Sequence, residues 1–320
     1  MGLAGGYNPA AGPWIVRDGV WSMSSTIESA SRGFLARGVR KTFGRRAVLD
    51  DLTLEVPHGT ALGLLGANGC GKTTLLKILL GLMPADAGET DIAGEPSSAL
   101  SATLRGRLGY VPQTPNQFYW LNGKAMLAYI AAFYPGFDRD YARYLLDRWK
   151  VSLKTPIVAL SPGQQQRLSI VRALAPRPDW LLLDEPMASL DPATRIAVIE
   201  ELLEEQRRRP LTVIFSSHIT GDLRRFCTHF AVLAGGRIAV MDRTEVLQRL
   251  VRVIVQGSES LLGGLDLSFA RYVRKPAEGA RTVVLDGGSE IERLRALLPS
   301  GLSCQLGEPD LEAVMSEWMQ

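Results

Sequence analysis

Two stretches of this sequence carry residue types, at spacings, that could act on phosphate. The first is Gly66-Ala67-Asn68-Gly69-Cys70-Gly71-Lys72-Thr73, followed by Thr74, which fits G-x-x-x-x-G-K-[ST]. Its glycines let backbone N–H groups approach phosphate oxygens that side chains would fend off. In that role Lys72 would reach the β- and γ-phosphates, and the Thr73 hydroxyl would ligate Mg2+. The second is Trp180-Leu181-Leu182-Leu183-Asp184-Glu185, an apolar run that ends in two carboxylates. A buried strand delivering acid at its carboxyl end suits metal ligation by Asp184. Glu185 beside it suits a general base that polarises an attacking water. Together the two stretches imply a nucleoside-triphosphate site.

The elements needed to position these residues are legible around them. Residues 61–65 form a short apolar run bounded by Gly59, as expected of a buried parallel strand. Residues 72–80 are helix formers that stop at Gly81, with Pro84 beyond. Strand, glycine loop and helix aim a positive helix end at the phosphates. Upstream, 34–39 and 52–56 read as strands around a turn at Gly44, and 108–113 as a further strand. Helices are predicted over 125–134, 141–149 and 164–174, separated by Pro135-Gly136 and Pro156. Strands return at 180–183 and 211–215, joined by an amphipathic helix over about 192–208. This alternation predicts an α/β fold, a parallel sheet with an inserted helical subdomain. Beyond residue 245, strands at 251–255, 269–273, 282–286 and 302–306, a helix at 290–298 and a closing helix at 311–318 read as a small α+β appendage. Residues 1–32 are rich in Gly, Ala, Ser and Pro without periodicity and read as disordered, with Met23 an alternative initiator.

Composition narrows the classes. A net charge of +3 is too small to argue for nucleic acid. Cys70, Cys227 and Cys304 have neither metal-ligand spacing nor an even disulfide count, which points to a reducing compartment. No apolar run approaches the roughly eighteen residues of a membrane span, and the first residues lack the basic start of a signal peptide.

One more stretch, Leu160-Ser161-Pro162-Gly163-Gln164, opens a helix with Ser161 as N-cap and Pro162 at the first helical position. It stands about twenty residues before the Asp184-Glu185 strand and matches, but for one residue, the signature LSGGQ. On this ground the chain resembles the ATP-binding subunit of an ABC transporter over roughly residues 34–242. Further residues follow in family order. Phe43 resembles the aromatic that stacks on adenine, and Asn68 fits the family's phosphate loop. Gln113 is similar to the glutamine that contacts Mg2+ and reports to the membrane partner. Asp191, in Ala188-Ser189-Leu190-Asp191, resembles the loop between the two nucleotide sites. His218 resembles the histidine that touches the γ-phosphate.

The resemblance implies a P-loop NTPase core of the ABC ATPase type, with an antiparallel β subdomain, over residues 33–244, with its helical subdomain at about 115–176 and an accessory unit over 245–320. It implies ATP and Mg2+ as cofactors, bound by residues 66–74, Phe43, Gln113, Ser161, Gly163, Gln164 and Asp191, the metal by Thr73, Gln113 and Asp184. Catalysis would fall to Glu185, His218 and Lys72. Implied partners are a second ATPase subunit, in a homodimer or a closely related heterodimer, and a multi-span permease that provides the only membrane contact. The implied place is cytoplasmic, on the inner face of the cell membrane, with no nucleic acid bound.

Two residues depart from the pattern. Pro162 replaces the first signature glycine and has no N–H, so the contact to the partner's nucleotide rests on Ser161 and the Gly163 amide. Phe43, where tyrosine is more frequent, keeps the stacking surface. More narrowly, residues 310–315, 134–138 and 216–220 resemble the bacterial drug and peptide exporter branch. An importer ATPase and a soluble ABC ATPase are the alternatives. Two local expectations complete the reading. Alkylation of Cys70 should crowd the phosphates, and the aromatic stretch 115–121 should either line a groove for the permease or pin two subdomains together.

Overall fold

The computed structural model describes residues 14–17, 20–23, 32–115, 118–217, 220–244, 249–270, 272–274 and 277–306. His218, the closing helix expected at 311–318 and the exporter-like motif at 310–315 lie outside the described residues. Within the segment expected to be disordered, β1 (Trp14–Arg17) and β2 (Val20–Met23) pair as an antiparallel hairpin. Their Trp, Ile and Val residues favour strand, a signal that the surrounding glycine and proline outweighed in the sequence.

Two long strands, β3 (Arg32–Phe43) and β4 (Arg46–Pro57), form an antiparallel sheet with β6 (Ala87–Ile92) and β7 (Glu95–Pro96), in the order β4-β3-β6-β7. The central sheet has the order β12-β11-β5-β10-β9-β8. It comprises β5 (Ala61–Leu65), β8 (Leu108–Val111), β9 (Trp180–Asp184), β10 (Thr212–Ser217), β11 (His229–Ala234) and β12 (Arg237–Arg243). Its neighbours run parallel except β11 and β12. β5, β9 and β10 are buried along their whole length, which is why they read as apolar runs rather than as an alternation. β6 was invisible in the sequence because its one fully buried residue is Ile92.

Each face of the central sheet has its own core. On one face Leu62, Leu64, Leu182 and Ile214 pack against α1 (Lys72–Leu79) and the antiparallel sheet, with Leu104 of α2 (Ala102–Arg105) at the margin. On the other face Leu181, Leu183, Val213 and Phe215 meet the inserted helices α3 (Gly123–Ala131), α4 (Arg139–Arg148) and α5 (Pro162–Leu174). α6 (Pro192–Arg208) and α7 (Thr220–Phe226) complete that layer.

The appendage is an antiparallel sheet of order β14-β15-β13-β16, from β13 (Leu250–Gln256), β14 (Tyr272–Arg274), β15 (Ala280–Asp286) and β16 (Ser303–Leu306). One face forms a separate core with α8 (Glu259–Gly263) and α9 (Gly287–Leu297), through Val253, Val255, Leu285 and Leu294. Leu250 and Val284 instead join the core of the central sheet, so the appendage is docked on it. Phe269, expected to start a strand, is buried in a turn, and β14 begins only at Tyr272.

Candidate active site at the carboxyl ends of the central strands

The glycine loop runs from β5 into α1 across the carboxyl edge of the sheet. Its conformation depends on glycine at two points. Gly71, the N-cap of α1, has φ 116°, and a Cβ on Gly66 would stand 2.7 Å from the Leu233 carbonyl oxygen. Lys72 Nζ donates to the carbonyl oxygen of Gly66 at 2.7 Å and lies 3.3 Å from Glu185 Oε1. Both side chains are buried, so this ion pair is held in low dielectric. A cleft of about 280 Å3 beside the loop is lined by Phe43, Asn68, Lys72, Thr73, Gln113 and Glu185, among others. The structure thus brings together residues far apart in sequence, from Phe43 to Glu185.

Asp184 ends β9 and is fully buried. Its Oδ1 accepts a hydrogen bond from Ser216 Oγ at 2.9 Å. Its Oδ2 is buried and makes no hydrogen bond among the described residues. Burial raises the Asp184 pKa above the ordinary carboxylate value; the Thr73 and Ser216 hydroxyls and the Lys72 charge oppose this, while Glu185 adds to it. A buried carboxylate oxygen left open beside a threonine hydroxyl fits a hard cation with oxygen ligands. Glu185 follows in a left-handed conformation, φ 47°, with its amide donating to Ser216 Oγ at 2.9 Å.

Other expected residues are not in this cleft. Ser161 and Gln164 form a capping box at the start of α5, with Ser161 N donating to Gln164 Oε1 at 3.0 Å and Gln164 N to Ser161 Oγ at 3.3 Å. Gly163 sits in the first turn of the same helix. Asp191 caps α6, accepting from Thr194 N at 3.0 Å and Thr194 Oγ1 at 2.7 Å, and these bonds hold its pKa low. Cys70 lies within the loop. Its Sγ would lie 2.5 Å from a Cβ on Gly66, packed against the core beneath the loop, and burial pushes its thiol pKa up. Ser216 entered the sequence reading only within the 216–220 motif and not as a site residue, because only the register of β10 beside β9 places it at Asp184.

Residues 49–188 match the family described as ABC transporter. An ABC transporter ATP-binding protein of Azorhizobium caulinodans is 35% identical over 209 residues, covering 63% of this chain and 74% of its own length. Nod factor export ATP-binding protein I of Paraburkholderia xenovorans is 33% identical over 205 residues, or 62% of this chain and 67% of that protein. Among solved structures, an ATP-binding subunit of an ABC transporter superposes with a TM-score of 0.61 at 27% identity, covering 68% of this chain and 92% of the other. A glycine loop beside two carboxylates, on this fold and in this order, therefore has its place. The chain belongs to the ABC transporter family as an ATP-binding subunit, and it is an ATPase.

Proposed function

We propose that this chain powers a separate membrane-spanning subunit, in the direction of export, through ATP-driven closure and reopening of a two-fold dimer. The observation that carries the site assignment is the meeting of Lys72, Thr73, Asp184 and Glu185 at the carboxyl ends of β5 and β9. Asp184 Oδ2, the Thr73 hydroxyl and Gln113 would hold Mg2+, which when bound neutralises charge on the β- and γ-phosphate oxygens. Lys72 exchanges its contact with Glu185 for the phosphates, and the freed Glu185 carboxylate takes a proton from water aligned with the γ-phosphorus. Loop amides from Asn68 to Thr73 cradle the phosphates, and Phe43, 48% exposed, offers its face to adenine. Ser161 and the Gly163 amide would complete the site of the other copy, and Asp191 and His218 would take the roles that the resemblance implies.

The export direction is supported by the relatives named for Nod factor export. Among the described residues no helix is long and apolar enough to cross a membrane. A partner chain is supported by one surface feature. A second cleft, of about 620 Å3, lies between the central sheet and the helical insertion, lined by Leu82, Tyr110, Ile130, Tyr134 and Arg172 among others. Tyr110 OH is buried there without a hydrogen-bond partner among the described residues, as suits a groove completed by another chain. Residues 33–244 are taken as the ATPase unit and 245–320 as its accessory, working on the cytoplasmic face of the membrane. The test of the site is Glu185→Gln, which keeps size and removes the base. ATP should still bind, turnover should fall by about two orders of magnitude or more, and ATP-bound dimers should accumulate on a sizing column. Near-normal hydrolysis would move the base elsewhere.

A further inference from the structure

We propose that Ser216 is a positioning residue for hydrolysis, holding Asp184 and Glu185 as a single unit. The inference rests on the reading of Asp184 as metal ligand and Glu185 as base.

Ser216 is the penultimate residue of β10, where the parallel register sets it beside Asp184 on one flank and Leu64 on the other. It is fully buried, and the residues preceding this layer on the same face, Leu62, Leu182 and Ile214, are all apolar. A hydroxyl in such a setting is unfavourable unless both its hydrogen and its lone pair are used. Both are. The Glu185 amide can only donate, so at 2.9 Å it fixes Ser216 Oγ as acceptor. The hydroxyl hydrogen is then directed to Asp184 Oδ1, also at 2.9 Å.

Two consequences follow from one oxygen atom. The bond to Oδ1 selects one setting of the Asp184 carboxylate, and in that setting Oδ2 is the oxygen left open. The bond from the Glu185 amide secures a left-handed backbone, φ 47°, that a long side chain adopts only when its surroundings impose it. That turn carries the Glu185 carboxylate back to within 3.3 Å of Lys72. Ser216 therefore orients the side chain of one acid and the backbone of the next, without facing the nucleotide cleft itself.

The experiment compares Ser216→Ala, Ser216→Thr and Glu185→Gln with the unmodified chain. Nucleotide affinity in EDTA is read with a fluorescent ATP analogue. Mn2+ affinity of the ATP-bound state is read by EPR in a Glu185→Gln background, where turnover is suppressed. For Ser216→Ala we expect ATP affinity in EDTA within about twofold of normal, Mn2+ affinity lower by about tenfold, and kcat lower by about tenfold or more with KM nearly unchanged. Ser216→Thr keeps the hydroxyl and should recover most of both losses. Normal kcat and Mn2+ affinity in folded Ser216→Ala overturn the proposal, even if its melting temperature falls, because the hydroxyl then serves packing alone. Equal losses in Ala and in a well-folded Thr variant also overturn it. If Glu185→Gln itself hydrolyses normally, the reading of the site fails. If Glu185→Gln is inactive and Ser216→Ala is normal, only the role of Ser216 fails.

Discussion

Among the described residues, a cluster of buried charge on the α1 side of the central sheet contrasts with one on the α6 side. On the α6 side, Glu205 is fully buried and each of its oxygens has a partner: Arg177 Nη1 at 2.5 Å and Arg209 Nη2 at 3.1 Å. Arg177 also reaches Asp138, the N-cap of α4, at 3.0 Å, and lies 3.4 Å from the centre of the Tyr141 ring. Tyr141 OH in turn donates to Glu201 Oε1 at 2.9 Å. The cluster clamps the helical insertion to α6 with both oxygens of Glu205 paired. On the α1 side, Lys72 meets Glu185 at a looser 3.3 Å, and Asp184 keeps one buried oxygen without a hydrogen bond among the described residues. Buried polar groups are ordinarily satisfied. Glu205 has both oxygens paired, whereas Asp184 leaves one open, as the proposed metal site requires.

The sharpest way to break this comparison is to neutralise one acid in each cluster. Glu185→Gln should cost about two orders of magnitude or more in turnover, together with some stability, because it strips the buried Lys72 of its counter-charge. Glu205→Gln should cost stability alone. It leaves Arg177 and Arg209 short of a charge, but their side chains keep 31% and 21% exposure, which softens the penalty. A loss of about 2 kcal/mol is expected, or a drop of roughly 4–8 °C, with kcat per folded molecule unchanged. Calorimetry beside a phosphate-release assay separates the two. If Glu205→Gln impaired turnover as much as Glu185→Gln, the clamp would be part of the catalytic cycle.

How far these clusters could be read in the sequence differs for a physical reason. Lys72, Thr73, Asp184 and Glu185 stand at the ends of apolar strands or at a helix start, so local pattern marks them. Helix α6 also follows its predicted span, because Asp191, Pro192 and the amphipathic period all agree. The Arg177–Glu205–Tyr141 clamp joins three separate elements by side-chain reach alone, and no spacing encodes that. Ser216 is the same kind of case, placed by strand register. The signature residues were legible but lie apart from this copy's cleft, at the start of α5, where Ser161 and Gln164 form a capping box.

A third buried group gives the comparison a pH axis. His229 is buried on β11, and burial, with Arg243 nearby, lowers its pKa to about 4 from an ordinary 6.5. The unfolded chain therefore binds this proton at higher pH than the folded one. Its contribution is intact above about pH 6.5 and is lost progressively as pH falls toward 4. His229→Gln should flatten the decline of melting temperature over that window, by a few degrees at most. An unchanged slope would mean that His229 takes up its proton in the folded protein at its ordinary pKa.

The smallest effect on the isolated chain is expected where neither cluster reaches. The stretch that follows Gln113 divides between two roles. Phe118 and Leu121 pack against the core and serve as the pin, whereas Tyr119 is 38% and Trp120 78% exposed. Tyr119 is held by a hydrogen bond from its OH to the Pro115 carbonyl oxygen at 2.5 Å. Edge-on ring contacts run from Trp120 to Phe118 at 5.5 Å, on to Tyr129 at 5.2 Å and to Phe133 at 5.1 Å, with Tyr129 and Phe133 also exposed. Such a row of rings costs little conformational entropy to bury against another chain. Trp120→Ala removes an exposed ring and leaves Phe118 seated, so stability and solo ATPase activity should stay within about 0.5 kcal/mol and twofold of normal. Co-purification with the membrane-spanning subunit should fall by tenfold or more, about 1.4 kcal/mol of interface. A Trp120→Ala chain that melts several degrees lower but assembles normally would make the aromatic row a structural seam, and would leave the cleft at Tyr110 and Arg172 to receive the partner alone.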